Sequence, residues 1–210
     1  MGRCVIFGAA GFDKLLLPLR QEDFVIAADG GVTHLEKIGV HPHVILGDFD
    51  SLGYVPQDAR VFPVEKDDTD LMLAVRHGLD KGYREFLIYG GLDGKRLDHT
   101  MANFQTLGFL QAQGAKGYLV GCDYLATVIS GETVRFPVTA SGILSVFCLG
   151  ADATGVRIKG LQYELENGSL SADFPLGVSN HFVRKEGEIS VENGKLLLLW
   201  DVANGLPSRE

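Results

Sequence analysis

Short apolar runs typical of strands alternate with helical stretches over the first 120 residues, and this order constrains the fold more than any other feature. The runs are rich in β-branched and aromatic residues and lie at 4–7, 24–28, 44–46, 61–64, 86–89 and 118–120. Two segments between them, 69–80 and 97–110, repeat apolar residues at the helical period. Strand, helix and strand in this order predict an α/β domain with a mostly parallel, open sheet and flanking helices.

Each of the two predicted helices has an apolar face that we expect to pack on the sheet. These faces consist of Leu71, Ala74, Val75 and Leu79 in the first helix, and of Leu97, Met101, Phe104 and Leu107 in the second.

The helical period disappears after Asp123, and short alternating segments typical of strands replace it. The sequence Glu-Asn-Gly occurs at 166–168 and again at 192–194, and each copy predicts a two-residue hairpin turn. The second part of the chain is therefore predicted to be an all-β, sandwich-like domain. We expect the α/β domain to span 1–123 and the β-domain to span 124–210.

Composition is that of a globular protein and argues against several classes of partner. Of the 210 residues, 46% are hydrophobic and 22% are charged, and the formal net charge is −8. Nucleic acids and anionic membranes attract basic faces, so we expect neither as a partner. No apolar run approaches the ~18 residues of a membrane span, and the first residues lack the apolar core of a signal peptide.

Three cysteines, Cys4, Cys122 and Cys148, lie in or beside strand-like runs. Their spacing is not that of metal ligands, and their number is odd. We therefore expect buried free thiols in a reducing compartment, which favours a cytoplasmic location.

Polar or glycine-rich clusters directly follow four of the predicted strands. They are Asp-Gly-Gly at 29–31, Gly-Asp-Phe-Asp-Ser at 47–51, Glu-Lys-Asp-Asp-Thr-Asp at 65–70 and Gly-Gly-Leu-Asp-Gly-Lys-Arg-Leu-Asp-His at 90–99. In open α/β sheets, ligands bind beyond the carboxyl ends of the strands. The sequence therefore predicts a functional site at this edge of the first domain.

Asp48 and Asp50 stand two residues apart at a strand end, so both carboxylates can turn toward one point. Two facing carboxylates repel each other unless a cation joins them. A hard divalent ion such as Mg²⁺, which prefers oxygen ligands, fits this pair. The alternative is a simple turn in which one aspartate bonds to the backbone.

Asp68, Thr69 and Asp70 begin a predicted helix, and one of the three is expected to cap it. Capping needs only one side chain, so the three carboxylates of Asp67, Asp68 and Asp70 at one helix start indicate a further role besides capping. Lys66 beside them is either a surface lysine or a phosphate ligand.

Arg96, Asp98 and His99 open the next helix after a glycine-rich turn. A guanidinium at this position suits bidentate phosphate binding, and Asp98 could complete a metal shell. Gly90, Gly91 and Gly94 let backbone N–H groups approach an anion. The alternative is a solvated helix start. Neither a P-loop nor a dinucleotide fingerprint is present in the sequence. The remaining features, carboxylates that can bind a metal together with an arginine and glycines, suit the binding of a polyphosphate and indicate phosphoryl transfer.

Together with Gly-Val-Ser-Asn at 177–180, these motifs resemble those of the thiamine pyrophosphokinase family, in the same order along the chain. The resemblance runs from Asp29 to Asn180 and includes Ala102 and Asn103 after the glycine-rich turn. It implies an α/β catalytic domain followed by a β-sandwich, a homodimer, and pyrophosphoryl transfer from Mg-ATP to thiamine that yields thiamine diphosphate and AMP.

The resemblance also implies roles for individual residues. Metal ligands would be Asp48, Asp50 and Asp70, and Asp70, Asp98 and Arg96 would be catalytic. ATP or its phosphates would meet Asp29, Gly30, Gly31, Ser51, Lys66, Asp68, Thr69, Gly90, Gly91 and Arg96. Thiamine would meet Ser179, Asn180 and Phe182, although a place in the sandwich core is the alternative for Phe182. The sequence does not choose between Asp70 and Asp98 as the proton acceptor.

Three other functions share some of these features. A pyrophosphokinase of the same architecture acting on a pterin alcohol would share the phosphate-handling residues, but Ser179 and Asn180 favour thiamine. A haloacid-dehalogenase-type phosphatase would carry its Asp-x-Asp near the first strand, which is not the order here. A nucleotide- or thiamine-binding regulator without turnover is disfavoured by the complete set of carboxylates.

Overall fold

A computed structural model describes residues 2–50, 52–65 and 67–210. The chain divides into two compact units, Met1–Cys122 and Asp123–Glu210, and each is described by itself.

The first unit is an α/β sheet whose neighbouring strands are all parallel. Its strands are β1 (Cys4–Phe7), β2 (Phe24–Ala28), β3 (Val44–Gly47), β4 (Arg60–Val61), β5 (Glu85–Tyr89) and β6 (Lys116–Val120), in the order β6-β5-β1-β2-β3-β4. Its helices are α1 (Val32–Lys37), α2 (Asp70–Asp80) and α3 (Leu97–Ala112), and a 3-10 turn spans Asp29–Gly31. The predicted α/β class is confirmed.

Strand β4 is shorter than the run at 61–64 that predicted it. Its two residues are exposed at the edge of the sheet, and Pro63 follows after one further residue, Phe62. Because proline cannot donate a ladder hydrogen bond, the strand cannot continue through this position.

The core of this unit lies on both faces of the central strands. All four residues of β1 are buried, as parallel strands covered on both sides require. Leu71, Ala74 and Val75 of α2 pack inward as predicted. The prediction for the start of α3 was wrong, because Leu97 is 73% exposed and Met101 is 55% exposed. The first turns of α3 border a cavity rather than the core, and the buried apolar residues lie further along the helix, at Leu107 and Leu110.

The second unit is all-β, and its pairs of strands are antiparallel, which confirms the predicted sandwich-like class. One group of strands has the order β12-β9-β14-β7 and the other the order β11-β10-β13-β8-β15. The strands are β7 (Tyr124–Ile129), β8 (Thr133–Phe136), β9 (Ile143–Cys148), β10 (Ala153–Lys159), β11 (Leu165–Leu170), β12 (Asn180–His181), β13 (Gly187–Ser190), β14 (Leu196–Asp201) and β15 (Ser208–Arg209). A 3-10 turn, Val202–Asn204, follows β14.

Neither Glu-Asn-Gly sequence forms the predicted two-residue hairpin. The first lies inside β11, where Asn167 adopts a φ of 48° beside shifts in the register of the β10–β11 pair. The positive φ of this asparagine thus serves a bulge instead of a turn. The second lies between β13 and β14, which belong to different sheets.

The core of the second unit contains a cluster of aromatic rings. Phe136 lies 5.1 Å from Phe182 and 5.3 Å from Trp200 between ring centroids. The indole N–H of Trp200 donates to the carbonyl oxygen of Gly205 at 2.9 Å, which satisfies the polar atom of this buried side chain.

The three cysteines carry free thiols; Cys4 is buried, and Cys122 and Cys148 are half-buried. Burial raises the pKa of the Cys4 thiol, so that this group stays protonated. Within the described ranges, no helix has both the length and the apolar character needed to span a bilayer.

Candidate functional site

A cavity of about 430 Å³ opens at the carboxyl ends of the first unit's strands. It is lined by residues that follow β1, β2, β3 and β5 and by the starts of α2 and α3. Nine of the predicted site residues line it: Asp29, Asp48, Asp50, Asp68, Thr69, Asp70, Gly90, Gly91 and Arg96. This is the place in an open α/β sheet where ligands bind.

Three carboxylates come together in this cavity. Asp29, Asp48 and Asp50 each offer one oxygen, and these atoms lie within 4.8 Å of one another. Asp29 and Asp48 are half-buried, whereas Asp50 is exposed. Sequence reasoning predicted Asp48 and Asp50 as ligands with Asp70 as the third, and gave Asp29 to phosphate. Asp70 lines the same cavity but does not belong to this group of three.

The backbone after β2 and β3 brings the three carboxylates together. A Cβ at Gly47 would lie 3.0 Å from the backbone N and Cα of Asp29, so glycine lets the two strand ends approach closely. Phe49, between the two aspartates in sequence, turns the chain with a φ of 59° and is itself buried. The backbone N–H of Asp50 donates to Asp48 Oδ1 at 3.3 Å. The turn that was the alternative to a metal site is therefore present and leaves the carboxylates close together.

The start of α2 shows which residue caps the helix. Thr69 Oγ1 accepts the N–H of Met72 at 3.2 Å, so the threonine is the N-cap. Asp68 is paired with Arg76, with 2.9 Å between Arg76 Nε and Asp68 Oδ2. Arg76 also lies over the ring of Phe109 on α3, 5.0 Å from its centroid. Asp70, the first residue of the helix, lines the cavity.

Arg96 and Asp98 form an ion pair at the mouth of the cavity. Arg96 lines the cavity and Asp98 does not. The distance from Arg96 Nη2 to Asp98 Oδ2 is 2.6 Å, and both side chains are exposed. The hydrogen bond from this guanidinium lowers the pKa of Asp98 to about 2 and raises that of Arg96. Asp98 therefore holds Arg96 at the rim of the cavity.

Gly94, which the sequence predicted to approach an anion, lines the cavity as well. Several lining residues had no role predicted from the sequence: Gly8, Ala9, Ala10, Ala28, Val64, Leu71, Lys95, His99, Thr100 and Asn103. Asn103 is buried, and its Nδ2 donates to the carbonyl oxygen of Gly91 at 2.8 Å, which fixes the turn after β5. Residues 8–10 follow β1, and the rule that identified the other strand ends applies to them equally. Their side chains are small and uncharged, so no polar cluster marks them in the sequence.

The remaining residues predicted to bind phosphate either do not line the cavity or lie outside the residues that the structure describes. Gly30 and Gly31 are buried in the 3-10 turn and do not line the cavity. Ser51 and Lys66 lie outside the described residues.

The residues predicted to meet thiamine lie in the second unit, and two of them are used by its own structure. Asn180 is buried; its Oδ1 accepts the N–H of Tyr163 at 2.9 Å, and its Nδ2 donates to the Tyr163 carbonyl oxygen at 2.7 Å. The ring of Phe182 is only 9% exposed and packs against Phe136, which is the core position foreseen as its alternative. Ser179 is exposed with a φ of 58°, and its N–H donates to Ser145 Oγ at 3.0 Å.

Two domain profiles match the chain. The catalytic domain of thiamin pyrophosphokinase matches residues 16–119, and the vitamin B1 binding domain of thiamin pyrophosphokinase matches residues 133–196. The two segments correspond to most of the α/β unit and to most of the β unit.

Relatives of similar length are found among curated proteins and solved structures. The chain is 27% identical to thiamine pyrophosphokinase of Bacillus subtilis, over 90% of this chain and 95% of the relative. It is 29% identical to thiamin pyrophosphokinase 1 of Caenorhabditis elegans, over 74% of this chain and 70% of the relative.

The fold agrees with solved structures of such enzymes. The crystal structure of the Bacillus subtilis enzyme superposes with a TM-score of 0.79 at 24% identity and covers 95% of this chain and 98% of that chain. That of the thiamin pyrophosphokinase from Geobacillus thermodenitrificans gives a TM-score of 0.75 at 25% identity, with 95% of this chain and 96% of that chain covered. The chain belongs to the thiamin pyrophosphokinase family.

Proposed function

We propose that this protein transfers the pyrophosphoryl group of Mg-ATP to the hydroxyethyl oxygen of thiamine, giving thiamine diphosphate and AMP. The observation that carries the proposal is the group of three carboxylates, Asp29, Asp48 and Asp50, in a cavity that Arg96 also lines. Both domain profiles and the two curated relatives support thiamine as the acceptor.

The donor set at the strand ends fits Mg²⁺. Carboxylate oxygens are the hard ligands that this ion takes, usually together with water and substrate phosphates. Asp29, Asp48 and Asp50 would hold it, and Asp70, on the same cavity, would lie toward the bound phosphates. When bound, the ion supplies charge neutralisation for the polyphosphate and for the AMP that leaves.

The chain's own groups handle the rest of the phosphate charge. Arg96 is placed at the rim to bind a phosphate through its planar guanidinium, and Lys95 adds a second positive charge. Gly90 and Gly91 leave room for the phosphates to approach the backbone of the turn after β5. Thr69 acts through its cap, which orients the start of α2. In this scheme catalysis rests on positioning and charge stabilisation.

The acceptor hydroxyl must lose its proton, and the arrangement favours Asp70 over Asp98 as the group that takes it. While Asp98 is paired with Arg96 its pKa is about 2, which makes it a weak base near neutral pH. Asp70 faces the cavity with its helix already capped by Thr69. Asp98 then serves as the residue that orients Arg96.

We assign thiamine recognition to the second unit, whose residues 133–196 match a vitamin B1 binding domain. Ser179 is the exposed member of the three predicted residues. Asn180 would shape the segment through its bonds to Tyr163, and Phe182 would support it from the core. A homodimer, implied by the resemblance, and a cytoplasmic location, inferred from the cysteines, complete the proposal. Sedimentation analysis of the purified chain tests the dimer.

The decisive experiment incubates the protein with thiamine, ATP and Mg²⁺ and identifies the nucleotide product by chromatography. AMP with thiamine diphosphate supports the proposal, whereas ADP, or no product, overturns it. A parallel reaction with a hydroxymethyl pterin in place of thiamine distinguishes the related acceptor. The Asp48→Asn variant serves as the control for AMP released by contaminating enzymes.

A further inference from the structure

The wall of the cavity formed by residues 8–10, called here the 8–10 wall, belongs to a long segment without helix or strand. Residues 8–23 connect β1 to β2, and none of them lies in a regular element. Gly8, Ala9 and Ala10 nevertheless line the cavity beside Asp29 and Gly90. Because irregular segments are held only by specific contacts, the contacts of these residues decide the shape of the cavity on this side.

On one side, the 8–10 wall is fastened to the turn after β5. Gly8 N donates to the Tyr89 carbonyl oxygen at 2.8 Å, and Ala10 N donates to the Gly90 carbonyl oxygen at 3.0 Å. The two segments approach so closely that a Cβ at Gly8 would lie 2.6 Å from the Gly90 carbonyl oxygen.

On the other side, the wall is fastened by a single histidine. His34 Nε2 lies 2.7 Å from the carbonyl oxygen of Ala10. A carbonyl oxygen only accepts, so Nε2 carries the proton and donates. Burial lowers the pKa of His34, which favours this neutral ring. The ring also packs on Phe12, whose own ring meets Phe7 and Tyr89 edge-on, so that its orientation is fixed.

His34 lies on α1, which begins directly after the 3-10 turn that contains Asp29. Thr33, its neighbour, donates from Oγ1 to the Gly30 carbonyl oxygen at 2.9 Å and ties α1 to that turn. The 3-10 turn and α1, which follow each other without a gap, therefore carry Asp29 at one end and His34, the donor to Ala10, in the following helix. A displacement of the 8–10 wall relative to Asp29 requires that the His34 bond break.

We propose that His34 is a positioning residue for the nucleotide: by donating to the Ala10 carbonyl oxygen, it holds the 8–10 wall at the distance from Asp29 that bound Mg-ATP requires. Small side chains at 8–10 let a ligand lie against the backbone, and phosphates bound beside Asp29 and Gly90 would lie against this wall. The inference rests on the proposed use of ATP and goes beyond it by assigning a role to a side chain outside the cavity lining.

The test compares His34→Leu, which keeps the packing on Phe12 but has no donor, with His34→Gln, whose amide N–H can reach the carbonyl. Losing one buried hydrogen bond is expected to raise KM for ATP about tenfold, with kcat and KM for thiamine changed by no more than about twofold. His34→Gln is expected to restore KM for ATP. His41→Leu, at an exposed histidine outside the cavity, is the matched control and is expected to behave as the unaltered protein.

An unchanged KM for ATP in a folded His34→Leu protein overturns the inference, as does a His34→Gln protein that is as impaired as His34→Leu. If His34→Leu does not fold, His34→Asn, whose amide is one methylene shorter, takes its place. Calorimetric titration with Mg-ATP in the absence of thiamine separates this inference from the proposed function. A protein that binds Mg-ATP but forms no AMP refutes the function alone, whereas equal affinities in all variants, or no binding by the unaltered protein, refute the role of His34.

Discussion

The motif residues after β2 and β3 and those around β12 are equally recognisable in sequence, yet the fold uses them differently. Asp29, Asp48 and Asp50 follow strand ends, and their carboxylates face a cavity. Asn180 and Phe182 lie in or beside a strand, where the amide bonds to the Tyr163 backbone and the ring enters the core. A motif at a strand end leaves its side chains available to a ligand. The side chains of a motif within a sheet can instead be used in hydrogen bonds and core packing of the domain.

The largest effect that this contrast predicts is on catalysis at the first region. Asp48→Asn keeps the shape of the side chain but removes its charge, so we expect AMP formation to fall about a thousandfold while the thermal midpoint stays close to that of the unaltered protein. Rates of AMP formation and a thermal denaturation curve measure the two quantities. Asp58→Asn, at an exposed position outside the cavity, is the control. Near-normal turnover would remove Asp48 from the metal site.

At the second region, the largest expected effect is on stability instead. Phe182→Ala should lower the free energy of unfolding by about 3 to 4 kcal/mol, because it leaves a cavity beside Phe136. Urea denaturation measures the loss, and Phe174→Ala, at an exposed ring, is the control with little expected change. A stable Phe182→Ala protein with a raised KM for thiamine and an unchanged KM for ATP would return this ring to the vitamin site and break the contrast.

A smaller effect separates the two neighbours of Phe182. Asn180→Ala removes both hydrogen bonds that its buried amide makes to the part-buried backbone of Tyr163, so we expect a loss of about 2 kcal/mol in the free energy of unfolding. Ser179→Ala alters an exposed side chain and should change this quantity by less than about 0.5 kcal/mol. The same urea denaturation compares them. Equal losses would show that Ser179, too, is used by the fold.

The smallest effect concerns the rim of the cavity, where Arg96 and Asp98 pair in solvent. The guanidinium lowers the pKa of Asp98 from its ordinary value of 3.8 to about 2. The ion pair therefore contributes its full stabilisation above pH 3.8, and this contribution is lost as the pH falls through about 2. In Arg96→Ala the pKa of Asp98 should rise toward 3.8. Titration followed by NMR of the carboxyl carbon measures it, with Arg84→Ala as the control. An unmoved pKa would show that the pair does not persist in solution.

Most of the fold could be predicted from periodicity, and the exceptions have physical causes at single residues. Pro63 limits the length of β4, and Asn167 adopts its positive φ at a bulge inside β11 instead of in a hairpin turn. Leu97 and Met101 continue the apolar period of α3 but lie where the helix borders the cavity. Periodicity reports which residues share a face, and it does not report where along a helix the sheet ends.

The carboxylates of the site could also be predicted, because strand ends of a parallel sheet converge. What spacing along the chain does not give is distance between separate loops. The close approach of Gly47 to Asp29 brings that aspartate into the group of three, while Asp70 lies elsewhere on the cavity. The bond between His34 and the Ala10 carbonyl oxygen joins a side chain to a backbone atom far along the chain, and no sequence motif marks such a bond.

The mutual approach of Gly8 and Gly90 limits how this protein can diverge. Each Cβ would overlap the other loop's carbonyl oxygen, so no single substitution at Gly8 or Gly90 can add a side chain without displacing the facing backbone. Lys95, His99 and Thr100, by contrast, line the cavity at and just before the start of α3, where size and charge can change one residue at a time. New specificities should therefore arise by stepwise substitution at the α3 rim, whereas altering the glycine side demands that two loops be rerouted together.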